Sequence, residues 1–183
     1  MRKLVASIMV SIDGYIEDRN RNIDWHNWNA EMDEYMIGYF RSVDTILFGR
    51  TTFQLMEKFW PTELADTENP IIASYMNRLP KIVFSKTLDS IHWENSTLVH
   101  EDAADFIAKM KQKPGKEMVI FGGAEIISSL SNAGLIDEYR LIVNPLILGE
   151  GKALFRSPAS RLELKLKESR QFSNGNLLLH YIK

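Results

Sequence analysis

Three short loops in the sequence combine glycine, hydroxyl and basic residues, the residue types that bind phosphate groups. They are Gly49-Arg50-Thr51-Thr52, Ser85-Lys86-Thr87 and Gly122-Gly123-Ala124. Glycine lets a backbone approach a ligand closely, basic side chains pair with phosphate oxygens, and the unpaired N–H groups at a helix start attract anions. Each loop alone is also compatible with an ordinary turn. Together the three loops predict a site for a ligand with several phosphates, such as a dinucleotide.

The familiar glycine-rich nucleotide motifs are absent from the sequence. Neither the phosphate-loop pattern G-x-x-x-x-G-K-S/T nor the Rossmann pattern G-x-G-x-x-G occurs. The G-x-S-x-G elbow of serine hydrolases is also missing. A dinucleotide site in this chain would therefore need another arrangement of loops.

Asp33 is a second candidate for chemistry, because it falls on the apolar face of a predicted helix. In the helix predicted over residues 30–42, a step of about 100° per residue places Asp33 between Phe40 and Ile37. A carboxylate on such a face is costly unless it is paired or hydrogen-bonded. Two interpretations stay open: Asp33 stabilises the helix start, or it faces a ligand pocket where it holds or relays a proton.

Trp25, His26 and Trp28 lie in the polar loop before this helix. Their rings could stack on a planar ligand or close the hydrophobic core at the helix entry. We expect His26 to be a surface residue. The four histidines of the chain are dispersed, and none pairs with another at the spacing of metal ligands, so no metal site is predicted.

Composition excludes several classes of function. The chain has 183 residues, no cysteine, and 22 Lys and Arg against 24 Asp and Glu. Without cysteine there is no disulfide, iron–sulfur cluster, thiolate zinc site or cysteine nucleophile. The even charge balance attracts neither nucleic acid nor anionic lipid, and no apolar run is long enough to span a membrane. We therefore expect a cytoplasmic protein with one domain over residues 1–183. Composition names no function, and it is the three loops that predict a small-molecule ligand.

The three loops must be positioned by an alternation of strands and helices. Apolar runs predict strands over residues 4–10, 45–48, 81–84, 118–121 and 139–143. Helical spacing predicts helices over residues 30–42, 52–59, 70–79, 102–111 and 124–133. Alternating segments on either side of Asn174-Gly175 predict a C-terminal β-hairpin. This order predicts an α/β fold, with a mixed, mostly parallel sheet between helices and with ligands beyond the carboxyl ends of the strands.

The ordered motifs of the chain resemble those of a known family. They are Ser11-Ile12-Asp13-Gly14-Tyr15-Ile16, Asp24-Trp25, Gly49-Arg50-Thr51-Thr52-Phe53, residues 81–88, Phe121-Gly122-Gly123, residues 134–138 and residues 145–155. The set covers essentially the whole chain and resembles the dihydrofolate reductase superfamily. More narrowly, it is similar to stand-alone relatives of the C-terminal reductase domain of the riboflavin-biosynthesis protein RibD. The resemblance implies a three-layer dihydrofolate-reductase-like fold with a sheet of about eight strands, NADPH as the cofactor, and a homodimer.

The same resemblance implies which residues bind the cofactor. The diphosphate and adenosine side would lie at Gly49, Arg50, Thr51 and Thr52. The diphosphate would also contact Gly122, Gly123, Ala124, Glu125 and Ile126. The ribose 2′-phosphate would be received by Ser85 and Lys86. The nicotinamide would be flanked by Met9, Val10 and Ile16, and Trp25 would approach the cofactor or the substrate.

The resemblance also implies a catalytic residue. Asp33 aligns with the active-site acid of the folate reductases, whereas the riboflavin reductases tend to carry basic residues there for the phosphate of their substrate. Ile127 replaces the tyrosine that follows the paired glycines in the folate enzymes. Three functions stay open: the riboflavin-pathway reduction of 5-amino-6-(5-phosphoribosylamino)uracil, the reduction of a pterin-type substrate, and a nucleotide-binding or interaction module without turnover.

Overall fold

The structure, a computed structural model, describes residues 1–156 and 160–183. The strands are β1 (Leu4–Ser11), β2 (Tyr15–Asp18), β3 (Val43–Gly49), β4 (Lys81–Phe84), β5 (Ser96–Val99), β6 (Glu117–Ile120), β7 (Glu138–Asn144), β8 (Gly151–Ala153), β9 (Lys165–Gln171) and β10 (Leu177–Ile182). The helices are α1 (Ala30–Phe40), α2 (Arg50–Met56), α3 (Glu63–Glu68), α4 (Pro70–Arg78), α5 (Ala103–Lys111) and α6 (Ala124–Asn132).

Eight of the strands form one mixed sheet in the order β5-β4-β3-β6-β1-β7-β10-β9. Strands β5, β4, β3, β6, β1 and β7 run parallel, and β10 runs antiparallel to both β7 and β9. The predicted α/β fold, its eight-stranded mixed sheet and its C-terminal hairpin are therefore confirmed. The carboxyl ends of the six parallel strands meet at one edge of the sheet, where the three predicted loops begin.

Two hydrophobic clusters cover opposite faces of the sheet, because successive side chains of a strand point to opposite sides. On β1, Leu4 and Ala6 pack with side chains of α5 and α6, while Val5 packs with side chains of α1 and α4. The result is three layers, with the sheet between two layers of helices. No helix in residues 1–156 and 160–183 is long and apolar enough to cross a membrane.

Four short elements were not predicted from the sequence: α3, β2, β5 and β8. Helix α3 buries only Ala65, and β5 buries only Val99 among its four residues. Strands β2 and β8 bury none of their side chains and pair with each other in a separate two-stranded sheet. Elements this short and this exposed carry no apolar periodicity, which is the signal that identified the others.

A buried carboxylate, that of Glu138, lies at the amino end of β7, opposite to the edge that carries the loops. Oε1 of Glu138 accepts a 2.7 Å hydrogen bond from Nζ of Lys3, and its Oε2 lies 2.6 Å from Nε2 of His180. Glu138 and His180 are both almost completely buried. Burial alone would raise the pKa of Glu138, but the hydrogen bonds from Lys3 and His180 hold it below its ordinary value.

Candidate functional site

Helices α2 and α6 begin beside each other at the carboxyl edge of the sheet. The N-cap residues are Gly49 for α2 and Gly123 for α6, and neither has a side chain to bond the first N–H groups of its helix. A Cβ atom on Gly49 would lie 3.7 Å from Cγ2 of Ile126, so the two helix starts are close together. Backbone N–H groups in the first turn of each helix therefore have no capping side chain and are suited to an anion.

The paired glycines after β6 complete this surface. Gly122 has a φ of 132° and Gly123 a φ of 95°, a region that residues with side chains rarely adopt. A Cβ atom on Gly122 would lie 3.1 Å from Cγ2 of Thr52, and one on Gly123 would lie 3.1 Å from Cγ2 of Ile126. The backbone therefore approaches α2 and α6 so closely that a side chain would crowd both helices. We call the surface formed by Gly49, Thr52, Gly122, Gly123 and Ile126 the glycine cradle.

The third predicted loop lies next to the glycine cradle. Gly49 pairs in register with Phe84, so Arg50 and Ser85 follow neighbouring strand ends. Arg50 and Lys86 are exposed, and Ser85 is buried. Oγ of Ser85 accepts hydrogen bonds from the backbone N–H groups of the second and third residues after it, at 3.2 and 3.1 Å. These bonds fix the turn and leave the hydroxyl hydrogen of Ser85 free to donate.

An apolar cavity of about 380 Å³ lies between the sheet and helices α1, α2 and α4. It is lined by Ser7, Ile8, Met9, Ile23, His26, Trp28, Met36, Phe40, Leu55, Met56, Phe59, Trp60, Asn69, Ile72, Met76, Phe121 and Ile142. The cavity adjoins the glycine cradle, because Phe121 in its wall directly precedes Gly122. Its volume is within the range of small-molecule sites.

The residues predicted to flank the nicotinamide are distributed over both faces of the sheet. Met9 lines the cavity, whereas Val10 is buried in the cluster on the opposite face and Ile16 packs against that same cluster. Nε1 of Trp25 donates a 3.1 Å hydrogen bond to the backbone oxygen of Asn22, and its ring lies edge-on to His26. Within the described ranges, Met9 alone of these predicted residues lines the cavity.

His26 differs from expectation. It was expected at the surface, but its ring is partly buried in the cavity wall, and the described part of the chain offers its Nε2 atom no hydrogen-bond partner. Burial lowers the pKa of His26 to about 4, so its imidazole is neutral at neutral pH.

Asparagine side chains explain why the loop of His26 is held inward. Oδ1 of Asn144, which is fully buried at the end of β7, accepts a 3.0 Å hydrogen bond from the backbone N–H of Asn27. The backbone oxygen of Asn27 accepts hydrogen bonds from the side-chain amides of Asn174 and Asn176 in the C-terminal hairpin. We call Asn27, Asn144, Asn174 and Asn176 the asparagine network. Of these residues, the sequence pattern identified only Asn174, as a turn former, because their partners are far away along the chain.

Asp33 lies in the first turn of α1, partly buried, and is not one of the residues that line the cavity. Its Oδ1 accepts a 2.6 Å hydrogen bond from Nε1 of Trp28, which does line the cavity. Asp33 is therefore connected to the cavity by its hydrogen bond to the indole of Trp28, which forms part of the wall. The cap of α1 is instead Asn29, whose side chain accepts from the backbone N–H of Met32.

Comparisons with known proteins agree with this architecture. The family model of the RibD C-terminal domain matches residues 2–178. The uncharacterized Bacillus subtilis protein YyaP is 34% identical over 181 residues, which cover 98% of this chain and 94% of YyaP. A solved structure from Shewanella sp. PV-4, provisionally assigned to riboflavin biosynthesis, superposes with a TM-score of 0.76 at 24% identity and covers 100% of this chain and 98% of its own.

A second solved structure is the diaminohydroxyphosphoribosylaminopyrimidine deaminase/5-amino-6-(5-phosphoribosylamino)uracil reductase of Thermotoga maritima. It superposes with a TM-score of 0.71 at 13% identity, over 99% of this chain and 56% of that protein. At these identities the solved structures establish the fold, which is the dihydrofolate-reductase-like fold of the RibD reductases. The family match extends over nearly the whole sequence, and the chain belongs to the RibD C-terminal domain family of reductases.

Proposed function

We propose that this protein is an NADPH-dependent reductase, which transfers a hydride to a small planar or carbonyl-bearing substrate. One observation carries the proposal: the glycine cradle, suited to a diphosphate, directly adjoins an apolar cavity through the consecutive residues Phe121 and Gly122. A dinucleotide held at the cradle could extend its reactive ring into the cavity, where a substrate would meet it away from water.

The chain's own residues fit such a cofactor. Backbone N–H groups at the start of α6, next to Gly122 and Gly123, would hold the diphosphate without an obstructing side chain. Arg50 and Lys86 are exposed cations beside the cradle. Arg50 would pair with the diphosphate, and Lys86 together with the hydroxyl of Ser85 would bind the 2′-phosphate. The cofactor supplies the hydride and the protein supplies binding, orientation and a dry site.

The remaining predicted cofactor residues have roles in the same proposal. Thr51, Ala124 and Glu125 would surround the diphosphate together with the cradle. Met9 would lie against the nicotinamide from the cavity side, and Val10 and Ile16 would support it from the strand and from the opposite face. Trp25 would act through His26, on which its ring packs at 4.5 Å.

Asp33 would orient the substrate through Trp28 or supply a proton, directly or through water. Its hydrogen bond to the indole favours the orienting role, because the ring that it fixes forms part of the cavity wall. In that role Asp33 is a positioning residue rather than one that touches the reacting atoms.

The quaternary structure and extent of the enzyme belong to the same proposal. We infer a homodimer, formed through the C-terminal hairpin, where Leu166 and Leu177 are exposed on β9 and β10. We also take residues 1–183 as one reductase domain. Sedimentation velocity at micromolar concentration tests the homodimer, and a monomer under those conditions would contradict it.

Cofactor binding is the direct test of the proposed function. Energy transfer from tryptophan to the bound cofactor is measured during titration with NADPH and, in parallel, with NADH. Turnover is then followed as oxidation of NADPH after addition of 5-amino-6-(5-phosphoribosylamino)uracil or of dihydropterins. We expect saturable NADPH binding at micromolar concentration. Absence of binding at millimolar NADPH would remove the proposal, and binding without oxidation of NADPH across a broad substrate screen would favour the non-catalytic module instead.

A further inference from the structure

We propose, on the basis of the function proposed above, that the substrate of this cavity is an uncharged, mainly aromatic molecule with one hydrogen-bonding group that His26 receives. Three properties of the described cavity wall support this proposal: its lack of charged side chains, its aromatic and methionine side chains, and the unpaired ring nitrogen of His26.

The cavity wall excludes charge. Among the residues that the structure describes, none of those that line it is Lys, Arg, Asp or Glu. A phosphate or carboxylate placed inside would lose its hydration and gain no ion pair, which strongly disfavours its entry. The charged group next to the wall is Asp33, a carboxylate hydrogen-bonded to Trp28, and it would repel an anion. The basic side chains Arg50 and Lys86 lie at the glycine cradle and are not part of the wall.

The wall is built from flat rings and flexible thioethers. Trp28, Phe40 and Phe121 present aromatic surfaces, and Met36, Met56 and Met76 supply side chains that adjust to irregular shapes. A planar ring system gains the most from such a wall, because it can stack on the aromatic rings while the methionine side chains adjust to its outline. The substrate class is therefore aromatic and tolerant of variation in outline.

His26 carries a polar atom that the described residues leave unpaired in this mainly apolar wall, which also includes the polar side chains Ser7 and Asn69. Its Nε2 atom is buried, and no group in the described ranges bonds it. A buried polar atom without a partner is costly, and a ligand hydroxyl, carbonyl or ring nitrogen would satisfy it. Burial holds the pKa of His26 near 4, so the ring offers a neutral donor or acceptor rather than a cation. A group of that kind selects an uncharged polar edge and not a phosphate.

Three ligands with the same ring system separate these properties: naphthalene, 2-naphthol and 2-naphthyl phosphate. Equilibrium dialysis against the purified protein, with and without saturating NADPH, gives a dissociation constant for each. We expect 2-naphthol to bind about tenfold more tightly than naphthalene, because of one buried hydrogen bond, and at least tenfold more tightly than 2-naphthyl phosphate. Binding of 2-naphthyl phosphate as tight as that of 2-naphthol overturns the proposal, and so does failure of all three ligands to bind.

Two variants assign the hydrogen bond. His26→Phe keeps an aromatic ring in the wall and should abolish the preference for 2-naphthol over naphthalene. His26→Gln retains a hydrogen-bonding group and should preserve part of that preference. His92→Phe is the matched control, since His92 is exposed and outside the cavity, and it should leave all three constants unchanged. A preference for 2-naphthol that survives in His26→Phe would show that another group receives the hydroxyl.

The outcome is separable from that of the proposed function. NADPH binding without 2-naphthol binding removes the substrate class and leaves the reductase proposal intact. Binding of 2-naphthol without NADPH binding retains the chemistry of the cavity and removes the reductase proposal.

Discussion

Nε1 of Trp28 donates a hydrogen bond of 2.6 Å to Oδ1 of Asp33, and the indole of Trp28 forms part of the wall of the apolar cavity, whereas Asp33 does not line it. An ionised acceptor makes this bond stronger than one between neutral groups. The carboxylate therefore restrains an indole that any occupant of the cavity would touch.

The first prediction concerns Asp33. It is measured with whichever substrate the protein is found to reduce in the NADPH oxidation assay. If Asp33 positions Trp28, Asp33→Asn should keep kcat/KM within about threefold, because the amide oxygen still accepts from the indole, whereas Asp33→Leu should lower it about tenfold or more. If Asp33 supplies a proton, both variants should lose activity equally. Trp28→Phe should resemble Asp33→Leu in the first case, and tryptophan fluorescence reports the altered indole independently of turnover.

The second prediction concerns the glycine cradle. Gly122→Ala places a methyl group about 3.1 Å from Cγ2 of Thr52 and forces alanine into a φ of 132°. We expect NADPH affinity to fall at least tenfold and the free energy of unfolding to fall by about 1–2 kcal/mol. Gly134→Ala is the control, since Gly134 also has a positive φ but lies just beyond the far end of α6. It should lose stability and retain NADPH affinity, and an equal loss of affinity there would argue against a specific cradle.

The third prediction concerns the choice between NADPH and NADH. Lys86→Ala should weaken NADPH binding about tenfold and leave NADH binding unchanged, because only NADPH carries the 2′-phosphate. Ser85→Ala should weaken NADPH binding more than NADH binding, since it also removes the hydrogen bonds that fix the turn. Parallel titrations with the two cofactors measure the ratio. Lys58→Ala removes another exposed cation and should leave that ratio alone. Equal weakening of both cofactors in Lys86→Ala would locate the lysine elsewhere on the dinucleotide.

The fourth prediction concerns pH. The folded-state pKa of His26 is lowered from 6.5 to about 4, so the unfolded chain binds more protons between these values and stability must fall as the pH falls through them. The loss should be on the order of 3 kcal/mol for this residue. Denaturant unfolding between pH 7 and pH 4 measures it, and His26→Phe should flatten the curve.

A second buried histidine, His180, should also make the protein less stable as the pH falls. Burial also lowers the pKa of His180, with a further contribution from Arg140 and opposition from its hydrogen bond to Glu138. His180→Gln should therefore remove another part of the acid sensitivity, and the double variant should be flatter than either single one. Stability that rises as the pH is lowered from 6.5 would contradict both assignments.

The sheet and the position of the three loops at its carboxyl edge could be predicted because their signals are local. A run such as Ile82–Phe84 is apolar and bounded by turn residues, which predicts a buried strand. The pair Gly122-Gly123 indicates a close backbone approach without any knowledge of its distant neighbours. The cavity could not be predicted in this way. Its wall combines Ser7, Phe40 and Ile142, which come together only when β1, α1 and β7 pack.

The inward position of His26 shows the same limit at a single residue. Its own neighbours are polar, which favoured a surface position, and the groups that fix its loop come from Asn144 and from the C-terminal hairpin. The helical period placed Asp33 on the apolar face of α1 but could not reveal Trp28 as its partner, because Trp28 lies in the irregular loop before the helix. Side chains that act across more than a hundred residues of chain leave no trace in a local pattern.

The asparagine network makes one wall of the cavity and the turn of the C-terminal hairpin a single mechanical unit. Asn27 is bonded to the hairpin from both its backbone oxygen and its side-chain amide, which donates to the backbone oxygen of Asn174. An insertion or epitope in the Asn174-Gly175 turn would therefore displace the loop that carries His26 and change the shape of the cavity. Gly175 is nevertheless exposed, and the turn would otherwise be a natural choice for an insertion. Fusions and labels are better attached at Lys183, where the chain leaves the sheet at the opposite edge.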